Sequence, residues 1–311
     1  MKHFNACLFG GVVGLSVVLS ACQTPSVSGP APVASTETAS RTIEDGGTGS
    51  YKALMASDSK LPTHTIFRPS DLKAFGRKNE LPIIAWGNGA CANSPWEHVN
   101  FLSEIASHGF LVVAIGPMPA EGARGGAGGT TKSAMMTDAI TWAIAQNNDK
   151  SSQYYNKLDV SKIAVAGMSC GGLQTLEVAP DTRITTAMIC NSGIFSTPGG
   201  GVGGMPNLTK AQLEKLHTPV IYILGGPRDI AYTNGMDDFH RIDRLPAFAA
   251  NFDVGHGGTY SRPHGGEFAK VATAWLQWQL KGDKKAAMMF EGDPSGVAQM
   301  PGWKVGKKNI P

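Results

Sequence analysis

The sequence is poor in charge, and the charge that it has shows little bias of sign. Asp, Glu, Lys and Arg make up 16% of its 311 residues, and 27 basic against 24 acidic residues leave a formal net charge of +3. Nucleic-acid-binding domains need a concentrated basic surface, so no nucleic acid is expected as a partner. A His-Glu-x-x-His motif and closely spaced Cys or His pairs, which bind zinc, are also missing. No metal and no cofactor are therefore expected.

Long hydrophobic runs are missing as well, except at the N-terminus. Residues 6–21 carry no charge, and their length is that of a secretory signal peptide rather than of a membrane-spanning helix. The run ends in Leu19-Ser20-Ala21-Cys22, which resembles the bacterial lipobox, a signal for lipid attachment to its cysteine. The resemblance implies an exported outer-membrane lipoprotein, facing the periplasm or the cell surface, with a lipid on Cys22 as its membrane anchor. An ordinary signal peptide with a cysteine at its cleavage site is the alternative.

Composition and periodicity divide the chain into four parts. Behind the signal peptide of residues 1–21, residues 22–48 are rich in Pro, Ser, Thr, Ala and Gly and are predicted to form a flexible tether. Residues 49–290 alternate short apolar runs with helical patterns, which predicts one α/β domain with a mostly parallel sheet and helices on both faces. Residues 291–311 are predicted to form a polar C-terminal tail.

A nucleophile motif lies near the middle of this domain. Gly167-Met168-Ser169-Cys170-Gly171 matches the pattern Gly-x-Ser-x-Gly. The pattern is short, but here it directly follows the apolar run 162–166 and opens a helical pattern, which is the context that a nucleophile elbow requires. The sequence therefore predicts Ser169 as a nucleophile on a tight strand-to-helix turn.

A serine at its ordinary pKa is a poor nucleophile, so a general base and an orienting acid are expected at the ends of later strands. Asp229 follows the apolar run 219–224, and His256 follows the apolar run 247–252. These positions predict Asp229 as the acid and His256 as the base of a catalytic triad. The alternatives are Asp237 or Asp238 for the acid and His264 for the base.

An oxyanion hole needs two backbone N–H groups that reach one substrate oxygen. The residue after the nucleophile supplies one of them in this kind of elbow, which is Cys170 here. The other is expected from the glycine-rich loop after Trp86, where Asn88 is predicted as the donor and Gly89 is the alternative.

These motifs carry a family resemblance. Together with Trp86-Gly87-Asn88-Gly89 and the Ala-Ser-His-Gly-Phe stretch at residues 106–110, they resemble α/β-hydrolases of the dienelactone-hydrolase-like, cutinase-like and polyester-hydrolase-like branch, across residues 82–280. Met168 and Cys170 differ from the residues that commonly flank the serine in polyester hydrolases and cutinases.

The resemblance implies a serine carboxylic-ester hydrolase that works through an acyl-enzyme. The sequence does not determine the oligomeric state, and a monomer is favoured. Its substrates would be exposed or polymer-linked esters, such as plant-wall acyl esters or polyester, or short-chain esters. A non-catalytic surface-binding lipoprotein with the same fold is the alternative. A complete triad in the expected chain order counts against it.

An exported product would keep three cysteines besides Cys22, in a compartment where disulfides form. Cys170 follows the nucleophile, and Cys91 lies in the loop with the second oxyanion donor. Because both segments must approach one substrate oxygen, their Cα atoms could come within disulfide distance, and a Cys91–Cys170 bridge is favoured. A bridge between Cys170 and Cys190, or no bridge at all, stays open.

Overall fold

The computed structural model describes residues 35–123, 130–197 and 203–311. The predicted signal peptide and Cys22 lie outside these residues. Within them, no helix is both long and apolar enough to cross a membrane.

The described chain folds around one sheet, whose strands lie in the order β1-β2-β3-β5-β4-β6-β7-β8-β9-β10. The strands are β1 Glu37–Arg41, β2 Ala53–Asp58, β3 His64–Pro69, β4 Leu81–Gly87, β5 Leu111–Ile115, β6 Leu158–Met168, β7 Thr186–Cys190, β8 Val220–Leu224, β9 Ala247–Phe252 and β10 Trp303–Lys308. The helices are α1 Val99–Ser107, α2 Ala134–Asn148, α3 Cys170–Val178, α4 Tyr232–Arg241, α5 Gly266–Lys281 and α6 Lys284–Ala287.

The six central strands, from β5 through β4 to β9, run parallel, and antiparallel strands flank them on both sides. The predicted α/β fold with a mostly parallel sheet is confirmed. Parallel strands need helices on both faces, which is why β4 is buried along its whole length. Ile84 and Trp86 face a core that α1 and α5 complete, whereas Ile83 and Ala85 face a second core closed by α2, α3 and α4.

The predicted domain boundaries were too narrow. Strand β1 lies in the predicted tether and pairs with β2, and β10 lies in the predicted tail and pairs with β9. The β10 sequence looks like a polar tail because lysines occupy much of it, and charged residues are typical of an edge strand that must not pair further. Trp303 anchors this strand by stacking on Phe252, with ring centroids 5.2 Å apart.

The carboxyl ends of the parallel strands meet at one edge of the sheet. Strands β4, β6, β7, β8 and β9 end at this edge, and a turn or a loop follows each of them there. In open α/β sheets this edge is where ligands bind. The predicted nucleophile, acid and base and the loop of Asn88 lie in these connections, and Cys170 is the first residue of α3.

Candidate active site

Ser169 occupies a strained turn between β6 and α3. Its backbone lies at φ 53° and ψ −115°, a conformation that costs energy for a residue with a side chain. The glycines of the motif are needed because backbone segments touch there. A Cβ on Gly171 would lie 2.1 Å from the carbonyl oxygen of Gly87, and one on Gly167 would lie 2.3 Å from that of Gly171. The sequence thus produces the elbow through two positions that exclude any side chain.

Two loops bring His256 and Asp229 to this serine. His256 follows β9, and its Nε2 lies 3.0 Å from Ser169 Oγ. Asp229 follows β8, and its Oδ1 lies 2.6 Å from His256 Nδ1. The alternative residues are engaged elsewhere: Asp238 pairs with Lys210 at 2.5 Å, and His264 Nδ1 lies 3.4 Å from Glu44.

Asp229 is held as a buried carboxylate, with its side chain fully shielded from solvent. Oδ2 accepts hydrogen bonds from Asn191 Nδ2 at 2.8 Å and from the Gly225 N–H at 3.0 Å. Oδ1 accepts one from the Ala231 N–H at 2.9 Å, in addition to its contact with His256. Burial by itself would raise the pKa of Asp229, but these hydrogen bonds outweigh it and hold the pKa below its ordinary value. The group is therefore ionised beside His256.

The first turn of α3 presents a backbone donor beside Ser169. The first N–H groups of a helix have no partner within the helix. The Gly171 N–H donates to the Asn88 carbonyl at 2.9 Å, and the Gly172 N–H donates to the Ser169 carbonyl at 2.9 Å. The Cys170 N–H has no protein acceptor among the described residues, so it is available to a substrate oxygen.

The loop after β4 is fixed against this helix. The Asn88 side chain is buried and donates to the carbonyls of Ala92, at 2.9 Å, and Ile115, at 2.7 Å. The Asn88 carbonyl accepts the hydrogen bond of the Gly171 N–H, so this loop is tied to the first turn of α3. The second donor expected from the sequence, the N–H of Asn88 or alternatively of Gly89, lies in this loop.

A disulfide ties the same two segments together. Cys91 and Cys170 are bonded, their Cα atoms are 5.1 Å apart, and both are almost completely buried. The predicted Cys91–Cys170 bridge is confirmed. Cys190 is a buried free thiol, which excludes the rival pairing with Cys170.

A cavity of about 290 Å³ opens beside Ser169 and His256. Its walls are mostly apolar, and the larger apolar side chains among them are Leu173, Phe195, Met205 and Ile230. Ile230 directly follows Asp229 and is 81% exposed at the rim.

Two side chains beside Asp229 were not predicted from the sequence. Ile230 could have been noticed as an apolar residue directly after the predicted acid. Asn191 could have been noticed as a polar residue directly after the apolar run that became β7. Among the described residues, no group of His, Cys, Asp and Glu could hold a metal ion.

Comparison with family models places the site in a known family. A family model described as PET hydrolase-like matches residues 20–193, more than half of the 311-residue chain. The matched range contains β4, the Ser169 elbow and Asn191, whereas Asp229 and His256 lie beyond it. No curated protein matches the chain.

Proposed function

The chain belongs to the PET hydrolase-like family, whose members are serine carboxylic-ester hydrolases with the α/β-hydrolase fold, and from that premise we propose that it cleaves esters through Ser169, His256 and Asp229. The observation that carries the proposal is the continuous chain of hydrogen bonds from Ser169 Oγ through the His256 imidazole to the Asp229 carboxylate.

The reaction proceeds through an acyl-serine. His256 Nε2 takes the proton of Ser169 as Oγ attacks the ester carbonyl, while Asp229 fixes the tautomer of the imidazole and stabilises its charged form. The N–H groups of Cys170 and Asn88 stabilise the oxyanion of the tetrahedral intermediate. His256 then protonates the departing alcohol, and a water activated by the same imidazole releases the acid and restores Ser169.

The cavity supports an ester with a small apolar acyl group. At about 290 Å³ it lies just below the range of roughly 300–1,000 Å³ that is typical of small-molecule sites. One acyl unit therefore enters it, and the rest of a larger ester stays outside. The exposed Ile230 lies where that outer part would make contact. We infer substrates presented on something larger, such as plant-wall acyl esters or polyester, with short-chain esters also accepted.

Replacement of the nucleophile tests the proposed mechanism. Ser169→Ala should lower kcat for a nitrophenyl ester by about 10⁴ or more, since the triad loses its attacking atom. A fluorophosphonate reagent should label Ser169 in the wild type, as peptide mapping would show. The exposed Ser151→Ala variant is the matched control and should keep full turnover. Near-normal turnover by Ser169→Ala would contradict the proposal.

Replacement of Ile230 tests the substrate class. Ile230→Ser should raise KM for aromatic or polymer-linked esters several-fold and leave acetyl esters unaffected, because only large substrates reach the rim. Met288 is a second large apolar side chain that is mostly exposed, at 61%. Met288→Ser is therefore the control for a general loss of surface hydrophobicity. Equal effects of the two variants, or turnover of short-chain esters alone, would reject the large-ester proposal.

We also propose that the protein is exported and anchored by a lipid on Cys22. The lipobox-like sequence at residues 19–22 supports this, and the disulfide between Cys91 and Cys170 suits an oxidising compartment.

A further inference from the structure

The hydrogen bonds of the candidate triad continue beyond Asp229 into the protein. The amide of Asn191 binds Asp229, and the hydroxyl of Tyr260 binds Asn191. We propose that Asn191, fixed by Tyr260, is a positioning residue that holds the Asp229 carboxylate in the orientation and charge state that His256 needs. The inference rests on the proposed triad and adds two side chains to it.

The contacts of Asn191 leave its amide only one productive orientation. The residue follows β7, is fully buried and has a left-handed φ of 42°, which asparagine tolerates better than most residues. Its Nδ2 donates to Asp229 Oδ2 at 2.8 Å, and its Oδ1 accepts from the Tyr260 hydroxyl. A flipped amide would point its oxygen at the carboxylate and its nitrogen at the phenol.

Tyr260 is itself fixed on all sides. Its ring lies 5.0–6.3 Å, between centroids, from four aromatic rings, which belong to Trp86, His98, Phe101 and Phe268. The thiol of Cys190 lies close enough to this hydroxyl for the two groups to influence each other's pKa. Burial raises the pKa of both groups well above the ordinary values, so both stay protonated and the phenol remains a donor to Asn191.

Of the titratable groups around Asp229, only His256 is proposed to change its charge during turnover. Tyr260 and Cys190 lie behind Asn191 and are neutral. Arg228, the preceding residue in the chain, is directed to Asp253 at 3.0 Å instead. The negative charge of Asp229 is therefore presented to the imidazole.

Removal of the Asn191 amide would leave Oδ2 with the single N–H of Gly225. The carboxylate could then rotate, and its pKa would rise because one donor to the charged form is lost. Both changes act when His256 becomes positively charged in the transition state, and neither touches ground-state binding. The expected signature is a lower kcat at unchanged KM, together with a shifted pH profile.

Three variants test the inference. Asn191→Leu removes the amide at similar volume, and Tyr260→Phe removes only the hydroxyl while keeping the ring packing. Tyr222→Phe is the matched control, because Tyr222 is equally buried but donates to Asp238 at 3.4 Å, away from the triad.

Asn191→Leu should lower kcat by about ten- to hundredfold with KM within about twofold, and should move the acid limb of the kcat/KM profile up by about half a pH unit. Tyr260→Phe should lower kcat and move the acid limb in the same direction by smaller amounts. Tyr222→Phe should change neither kcat nor the acid limb. Should the leucine variant fail to fold, Tyr260→Phe decides.

The inference is overturned if the acid limb stays unchanged in the folded variants, or if Tyr222→Phe moves it equally. Ser169→Ala separates this failure from failure of the proposed function. An inactive Ser169→Ala beside a normal Tyr260→Phe rejects the positioning role alone, whereas an active Ser169→Ala rejects the triad itself.

Discussion

Removal of the disulfide should weaken both the fold and the proposed oxyanion hole. The perturbation is the double variant Cys91→Ala/Cys170→Ala. The bridge joins residues separated by 79 positions, and the chain-entropy relation gives about 4.5 kcal/mol for a closed loop of that length. Measured bridges usually contribute about 2–4 kcal/mol. A loss of about 3 kcal/mol in the free energy of unfolding, or of roughly 10 °C in Tm, is the expected result.

The assay is urea unfolding of the double variant beside the wild type and a packing control. Cys190→Ala is that control, because Cys190 is a buried free thiol whose removal deletes a sulfur without opening a crosslink. Its loss of stability, counted twice, estimates the packing share of the double variant. What remains is the contribution of the crosslink.

The same variant tests the link to catalysis. The bridge fixes the loop of Asn88 relative to the N–H of Cys170, so kcat should fall by about tenfold under conditions where the domain stays folded. A reductant should act on the wild type in the same way before it unfolds the protein. The reasoning is refuted if the double variant loses no more stability than twice the Cys190→Ala loss and keeps its kcat.

Three further results are expected. Gly171→Ala should lower the free energy of unfolding by at least about 3 kcal/mol, because its Cβ would lie 2.1 Å from the Gly87 oxygen. Gly76→Ala is the control in the same thermal unfolding measurement and should be nearly neutral, because no atom lies within 4 Å of its Cβ. Burial lowers the pKa of His98 from 6.5 to about 3, so the unfolded chain binds the extra proton and stability falls as pH drops from 6.5 toward 3. In denaturant titrations between pH 6.5 and pH 3, His98→Phe should reduce the loss of unfolding free energy by about 4 kcal/mol. If unfolding free energy falls with pH as steeply in this variant as in the wild type, the low pKa of His98 is contradicted. Cys22→Ser should abolish lipid labelling and membrane association, and wild-type protein found in the cytoplasm with Met1 intact would rule out export.

Local sequence determined the fold class and the turn that carries the proposed nucleophile. Alternating apolar runs and helical patterns predicted the α/β sheet, because a strand buried on both faces must be apolar throughout. The residues around Ser169 predicted the elbow, because the backbone contacts at Gly167 and Gly171 tolerate no side chain. The Cys91–Cys170 bridge could also be predicted from the sequence, because two segments that are expected to bind one substrate oxygen must lie close together.

Tertiary structure decided what depends on the packing of distant segments. Asn191 and Tyr260 are 69 residues apart in the chain, and no local pattern shows that a phenol on one loop meets an amide at the end of β7. Strand β10 was hidden for a related reason: its lysines are typical of a tail, and only its pairing with β9 makes them an edge of the sheet. Apolar periodicity reveals which residues are buried, but hydrogen-bond partners between loops are set by how the sheet brings strand ends together.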